Sequence, residues 1–374
     1  MKCPGMAGGR LLVLALALAA GPLGAGFQDP SEVPAQASSL AAKSPMTAVA
    51  TAGRRLVAVG QRGHVVFSDD GGNSWTQAQV PVSSDLLAVH FPSPELGWAV
   101  GHGGVVIHSA DGGKTWTRQL DGKSASQSIV DYYDRAGADG SLAQAGEYAT
   151  REKNVVAMGG TQPFLGVYFE DGQRGYVAGT FNRILRTEDG GKTWVPLMHK
   201  VDNPRELNFF SIGAGASGLF LVGETGSVWK YDPGADRFVA GNVGYHGTLF
   251  GIAVGGKVLV AHGMRGSVFR SADAGKTWQR VDLGSSAGMT GATLLGNDDV
   301  VLVSMAGTAY MSTDNGQSFR QLPLPRPMSY GGVVAFGGRN LALVGAEGVR
   351  SAAVEASPGL GMAGGSAVPG RGSN

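Results

Sequence analysis

An eight-residue motif that returns five times constrains this chain more than any other feature of its sequence. The pattern is S/T-x-D-x-G-x-T/S-W/F, and we call each copy a box. Five copies of so specific a pattern are not expected by chance, so they indicate a protein built from internal repeats. The boxes span residues 68–75, 109–116, 187–194, 271–278 and 312–319.

A second motif raises the number of units to seven. It is a short apolar run, then G-x-x-G, then another short apolar run. Two copies are degenerate, because Asn182 replaces the second glycine of one and a serine opens another. The seven copies begin at Gly60, Gly101, Gly179, Gly223, Gly263, Ser304 and Gly345.

The spacing of the units predicts the fold. The runs after G-x-x-G end at Ser68, Ser109, Thr187, Tyr231, Ser271, Ser312 and Ser351, so successive ends lie 39–44 residues apart except for one interval of 78. A period of about 40 residues with short strands and turn glycines is typical of a four-stranded propeller blade. We therefore predict an all-β fold, a seven-bladed β-propeller over residues 31–354. The strands of each blade are named a to d from the axis outward, and the box joins c to d.

The residue types of the box predict structural roles. An Asp carboxylate can accept backbone N–H groups within a tight turn, glycine permits positive φ, and the aromatic residue can be buried between blades. One carboxylate per turn supplies too few oxygen ligands for calcium. The predicted structural pairs are Asp70 and Trp75, Asp111 and Trp116, Asp189 and Trp194, Asp273 and Trp278, and Asp314 and Phe319.

These motifs resemble two nested families. The boxes are similar to those of BNR or Asp-box repeat proteins. More narrowly, the phrases at 59–64, 97–102 and 163–169 resemble the photosystem II assembly and stability factor family, over about residues 45–352. The resemblance implies an exported, non-enzymatic propeller scaffold that aids a membrane protein complex. The client would be photosystem II in a photosynthetic organism, and otherwise an envelope complex or transporter. Peripheral association with the membrane fits this role.

An enzyme is the main alternative function, because many sialidase-like glycoside hydrolases carry Asp boxes. That chemistry needs clustered arginines, a Tyr nucleophile and carboxylic acids around the axis. The predicted inner strands are apolar or small instead, and acids such as Asp131 and Glu147 lie in an insertion. We therefore predict no catalytic residues and no cofactor. A ligand-binding envelope propeller is a further alternative that the sequence leaves open.

The interval of 78 residues indicates an insertion at 119–162, because that stretch contains neither motif. Its mixed polar and apolar residues predict short helices, broken by Gly137 and Gly140. The insertion leaves a d strand and enters an a strand, so it should lie on the face that carries the b–c turns. Two interpretations stay open: a platform that binds a partner, or a tolerated surface elaboration.

Four arginines on that face are the predicted partner contacts: Arg62, Arg205, Arg265 and Arg326. Arginine suits interfaces because its planar guanidinium forms forked hydrogen bonds. His64, His102 and His262 would have to converge to bind a metal, and their different places in the motifs argue against it. We therefore expect no metal site.

Charge and cysteine content limit the partners and the compartment. A formal charge of +1 supplies no basic field for nucleic acid, and none is expected as a partner. The one cysteine is Cys3. Because it lies in a predicted leader, the mature chain would have no disulfide, Cys-bound zinc or Cys nucleophile.

The N-terminus resembles a secretory signal. Lys2 and Arg10 precede the apolar run at 11–20. Small residues follow near Ala25, where cleavage is expected. Residues 1–26 are thus a predicted signal peptide that exports the protein to the periplasm or the lumenal side of a membrane. A retained anchor is the alternative, although the run is short for a span.

Two further predictions concern the ends of the propeller. The seventh unit lacks a fourth strand, and residues 33–40 are expected to supply it, because an unpaired blade edge is unfavourable. Residues 357–374 are rich in Gly, Ser and Pro, which predicts a disordered tail.

Overall fold

The computed structural model describes Met1 and residues 28–296 and 298–354. The predicted signal peptide and the tail lie outside the described residues, apart from Met1. The described chain forms seven antiparallel sheets, six of four strands and one of three. Each innermost strand contacts that of the next sheet, and β25 (Tyr330–Phe336) contacts β1 (Met46–Ala52), which closes the ring. The predicted seven-bladed β-propeller is confirmed.

The strands follow chain order within each blade. Blades 1 and 2 comprise β1 (Met46–Ala52), β2 (Arg55–Gly60), β3 (Val65–Ser68), β4 (Thr76–Gln77), β5 (Leu86–His90), β6 (Gly97–Gly101), β7 (Val106–Ser109) and β8 (Thr117–Leu120). Blades 3 and 4 comprise β9 (Phe164–Phe169), β10 (Gly175–Gly179), β11 (Ile184–Thr187), β12 (Val195–Pro196), β13 (Phe209–Gly215), β14 (Gly218–Gly223), β15 (Ser227–Asp232) and β16 (Arg237–Asn242). Blades 5 to 7 comprise β17 (Leu249–Val254), β18 (Leu259–Gly263), β19 (Val268–Ser271), β20 (Gln279–Val281), β21 (Met289–Leu295), β22 (Asp299–Ser304), β23 (Ala309–Ser312), β24 (Arg320–Leu322), β25 (Tyr330–Phe336), β26 (Asn340–Gly345) and β27 (Gly348–Ala353).

The hydrophobic core lies between adjacent blades. The b strands are buried along nearly their whole length, whereas the a strands are half-buried where they face the axis. Val57 of blade 1, for example, packs with Ile107 and Trp116 of blade 2. Burial of such side chains stabilises the fold by roughly 1.5–3 kcal/mol each.

The first glycine of the G-x-x-G motif is required by close backbone approach. A Cβ at Gly101 would lie 2.0 Å from the carbonyl oxygen of Asp85, and one at Gly345 would lie 2.1 Å from that of Ser329. The b strand therefore meets the start of the a strand where only a hydrogen atom fits.

The boxes form the predicted turns. In blade 2 the Asp111 carboxylate accepts the N–H groups of Lys114 and Thr115, each at 3.0 Å, and the hydroxyls of Ser109 and Thr115. Trp116 is buried and donates its indole N–H to the carbonyl of Gly113 at 3.0 Å. These contacts link the ends of strands c and d.

The same contacts explain the acidity of the box carboxylates. Hydrogen bonds from the hydroxyl and N–H of Ser74 hold the pKa of Asp70 well below its usual range. The boxes share a face with the a–b turns, since the N–H of Gly112 donates to the Glu95 carbonyl at 2.8 Å.

The predicted helices of the insertion are confirmed. α1 spans Gly122–Ala138 and α2 spans Ala145–Ala157, and the two pack against each other. Asp121 caps α1 by accepting the N–H groups of Lys123 and Ser124. Gly137 lies inside α1, so the predicted break there is wrong. The break predicted at Gly140 is confirmed, since the chain turns at 139–144.

The prediction that residues 33–40 complete blade 7 is wrong. Blade 7 has three strands among the described residues, and residues 33–40 form none. They run along blade 1, where Ala35 N–H donates to the Val80 carbonyl and the Gln77 side chain bonds Gln36 and Ser38. One backbone hydrogen bond and the side-chain amide of Gln77, rather than a strand ladder, hold the segment there.

Candidate functional site: the loop face

The b–c turns, the d–a connections and the insertion share one end of the propeller, which we call the loop face. A Cβ at Gly104, in the b–c turn of blade 2, would lie 2.7 Å from the Cα of Gly122 in α1. Arg183, just after the b–c turn of blade 3, contacts Ser126 of α1 and Glu152 of α2. The insertion thus lies over blades 2 and 3 on the predicted face.

Two of the predicted arginines hold strained positions. Arg62 and Arg265 occupy the same place in the b–c turns of blades 1 and 5, each with φ of 56°. The equivalent residue of blade 2 is Gly103, with φ of 73°. A non-glycine residue in this region costs about 1–2 kcal/mol. Arg326, in the connection to blade 7, is also left-handed, with φ of 54°. Retaining a long charged side chain at such positions favours a role in binding.

The structure places all four predicted arginines on the loop face but does not join them. Arg62, Arg265 and Arg326 are exposed, and their guanidinium groups form no hydrogen bond or ion pair with the part of the chain that the structure describes. Arg205 is exposed too, and it donates to the hydroxyl of Thr225 at 2.8 Å. The four come from separate blade connections, so each would contact a different part of an extended partner.

An apolar cavity of about 420 Å³ opens on the same face, on blades 5, 6, 7 and 1. Met46, Phe250, Met305 and Tyr330 form much of its wall. Met305 is half-exposed at the rim, and Phe250 packs against Phe210 with ring centroids 6.0 Å apart. The cavity fits one or two apolar side chains of a bound segment.

The hydroxyl of Tyr330 is a polar group inside this wall. It is buried and has no hydrogen-bond partner among the described residues. Burial also raises the pKa of the Tyr330 phenol, so it stays protonated.

This cavity was not predicted from the sequence. Phe210 and Phe250 hold the same place in their a strands, one residue after Phe209 and Leu249. Comparing blades at that position was the signal that would have found the two rings.

The axial channel offers little chemistry. Its lining comes from the a strands of all blades, and the polar members are Thr47, Ser211, His262 and Thr290. No carboxylate or arginine stands among these lining residues. Asp131 and Glu147 lie instead on α1 and α2, away from the axis.

The three candidate metal ligands lie in different blades. His262 is fully buried, with Nδ1 2.8 Å from the carbonyl oxygen of Met289, and burial lowers its pKa to about 4. His64 is buried, whereas His102 is exposed in its turn. Over the described ranges, no three His, Cys, Asp or Glu side chains group as a metal site would require.

The insertion is held to blade 3 by buried polar contacts that the sequence analysis also missed. Arg183 and Glu152 form an ion pair with side chains 2% and 3% exposed. The Tyr133 hydroxyl lies 3.0 Å from Nδ1 of His199, and the Tyr133 and Tyr148 rings stack 4.8 Å apart. Burial lowers the pKa of His199 to about 4, so this contact uses a neutral imidazole. These contacts fix the insertion as a rigid part of the loop face.

Comparisons with known proteins give the family resemblance independent support. Residues 45–129 match the family described as photosynthesis system II assembly factor YCF48. A structure of YCF48 bound to D1 peptide aligns with a TM-score of 0.62 and 18% identity, covering 88% of this chain and 98% of that one. YCF48 from Cyanidioschyzon merolae aligns with a TM-score of 0.60 and 18% identity, covering 82% and 95%. The resemblance to this family is confirmed, and at such identities the structures show a shared fold.

The fold is also shared with an enzyme. A catalytically inactive virginiamycin B lyase from Staphylococcus aureus with quinupristin aligns with a TM-score of 0.61 and 10% identity, covering 83% of this chain and 94% of that one. No curated protein matches the chain. The propeller alone therefore does not decide between binding and catalysis.

Proposed function

We propose that this protein is a non-enzymatic, exported scaffold whose loop face binds a segment of a membrane-protein subunit and aids assembly or stability of its complex. In a photosynthetic organism the complex would be photosystem II, and elsewhere it would be another envelope complex or a transporter. The observation that carries the proposal is the apolar cavity on the loop face, which is the face that also carries the exposed Arg62, Arg265 and Arg326.

The chemistry of the site suits an extended peptide. An apolar side chain would fill the space beside Phe250 and Met305, which removes both surfaces from water. Carboxylates of the same segment would pair with Arg62, Arg265 or Arg326, since guanidinium groups form charge-assisted hydrogen bonds with them. The solved structure of YCF48 bound to D1 peptide supports this proposal, because that protein shares the fold and holds a peptide.

The channel supports binding over catalysis. A glycoside hydrolase would need acids around the axis, and the residues that line the channel supply none. The exposed cavity lies at the rim, where a partner can reach it.

Export rests on the N-terminal sequence. The apolar run at 11–20 and the small residues near Ala25 support a cleaved signal. In the described part of the chain, no helix is long and apolar enough to cross a membrane. Mass spectrometry of the N-terminus of protein from a periplasmic fraction tests export: a start near residue 26 is expected, and an intact Met1 in the cytoplasm contradicts it.

Co-purification tests client binding. Tagged protein from detergent-solubilised membranes should recover one membrane-protein complex reproducibly. Met305→Asp places a charge in the cavity and should abolish recovery, because desolvating an unpaired carboxylate is unfavourable. Val195→Asp is the matched control, since Val195 is also exposed but lies on an outer strand next to a box. Equal recovery by both variants would contradict binding at this cavity.

A further inference from the structure

The exposed large apolar side chains are not scattered over the surface. Besides Met1, eight are exposed among the described residues, and five of these lie on the loop face. Phe181, Met264 and Met305 occupy b–c turns of blades 3, 5 and 6, with 55%, 38% and 50% of their surface exposed. Val156 and Met158 stand at the end of α2, and Met158 is 82% exposed. A face that concentrates such residues indicates a binding surface.

Arginine side chains without partners among the described residues lie on the same face as Phe181, Met264 and Met305, which we call the apolar tips. Arg265 follows Met264 directly, and Arg62 and Arg326 extend from neighbouring connections of the same face. The acids of these turns are engaged by the protein itself. Asp85 accepts the N–H of Arg62, Glu224 accepts the N–H of Asn208, and Glu347 pairs with Arg350. The guanidinium groups of Arg62, Arg265 and Arg326 have no such internal partner in the described part of the chain, so they can pair with an anionic partner.

The start of the described chain lies at the same face. Asp29 and Pro30 line one cavity with Ser83 and His102, which belong to the loop-face connections of blade 2. Asp29 also forms an ion pair with Lys123 of α1 at 3.4 Å. The apolar run at 11–20 ends nine residues earlier, and nine extended residues reach about 30 Å at most. Before cleavage, a chain held in a bilayer by that run would keep the loop face, and not the box face, close to the lipid.

We propose that the loop face docks directly on a lipid surface that carries anionic headgroups. The tips at Phe181, Met264 and Met305 would enter the interfacial region, and Arg62, Arg265 and Arg326 would bind lipid phosphates. The lipid is the occupant in this proposal, and docking does not require the client complex. Docking would bring the cavity on the same face to the depth at which loops of a membrane protein emerge.

Vesicle co-sedimentation tests the proposal with the full chain. The vesicles are phosphatidylcholine, alone or with phosphatidylglycerol. We expect binding to the phosphatidylglycerol vesicles that weakens with salt, because the arginine contribution is screened. Each of Arg62→Gln, Arg265→Gln and Arg326→Gln should weaken binding about fivefold, as one cationic side chain near an anionic surface contributes.

The apolar tips have a matched control. The triple variant Phe181→Asn, Met264→Ser and Met305→Ser should weaken binding at least tenfold. The double variant Val195→Ser and Val239→Ser removes similarly exposed residues from outer strands and should bind like the parent. Equal loss in both sets, or no binding to the anionic vesicles, would overturn the proposal.

A site-specific probe distinguishes docking by the loop face from misfolding and from membrane binding by the leader. In a Cys3→Ser background, an environment-sensitive fluorophore on Met305→Cys should shift to the blue with anionic vesicles, and one on Val195→Cys should not. Binding without a shift at position 305 would assign it to the leader and overturn the proposal. Binding that needs vesicles containing the client protein would overturn lipid docking while leaving the proposed client function intact.

Discussion

Replacing Glu152 by glutamine should release the insertion from the propeller. Glu152 and Arg183 are buried, and Arg183 uses Nη2 alone, which bonds Glu152 and Ser126. Its Nε and Nη1 have no partner among the described residues. The guanidinium therefore depends on one carboxylate for charge compensation. Removing one partner of a buried ion pair costs about 3–5 kcal/mol.

Hydrogen exchange read by mass spectrometry measures this effect locally. If docking weakens by about 3 kcal/mol, amides of α1 and α2 should exchange about 150-fold faster. The blades far from the insertion, such as blade 6, should keep their protection and serve as the internal reference.

The double variant Glu152→Leu and Arg183→Met is the matched control. It removes both charges and should lose less protection than Glu152→Gln, because no unpaired charge stays buried. Unchanged exchange in α1 and α2 of Glu152→Gln would refute the view that this ion pair holds the insertion.

Three further outcomes follow from contacts in the propeller. Asp111→Ala removes the acceptor of a box turn and should lower stability by about 1–2 kcal/mol in urea melts, whereas Lys114→Ala in the same turn should not. Deleting residues 28–44 should lower the melting temperature, because this segment bridges blade 2, blade 1 and β27, and an unchanged value would exclude that role. The free energy of unfolding should be highest above pH 6.5 and should fall towards pH 4. The expected slope is up to about 1.4 kcal/mol per pH unit for each buried histidine, because the histidines of the unfolded chain bind protons at a higher pH than those of the folded chain. Burial lowers the pKa to about 4 at His90, His199 and His262. Urea melts at pH 6.5 and pH 4 test the direction of this change. His262→Asn should make the free energy of unfolding depend less steeply on pH.

The propeller was predictable because the contacts that form its box turns are local in the sequence of each blade. The carboxylate of Asp111, the glycines beside it and Trp116 act within eight residues, so their pattern repeats in the sequence. The place of the insertion was predictable too, since strand order alone decides on which face a d–a connection lies.

The candidate site was predictable only in part. The arginines belong to repeated turns and could be placed on one face. The cavity could not, because Met46 and Tyr330 come from blades 1 and 7, which meet only when the ring closes. The pairing of Arg183 with Glu152 joins a blade to an insertion without any repeat. The course of residues 33–40 was mispredicted because blade 7 was assumed to need a fourth strand, whereas contacts with Gln77 and Val80 hold the segment on blade 1.

Photo-cross-linking in cells tests the central claim, that the loop face binds a membrane-protein subunit. A photoreactive residue is placed at Met305, beside the cavity, or at Lys276, which is exposed in a box on the opposite face. We expect position 305 to cross-link to an integral membrane protein and position 276 not to do so. The same cross-linked proteins at both positions, or none from the membrane at position 305, would contradict it.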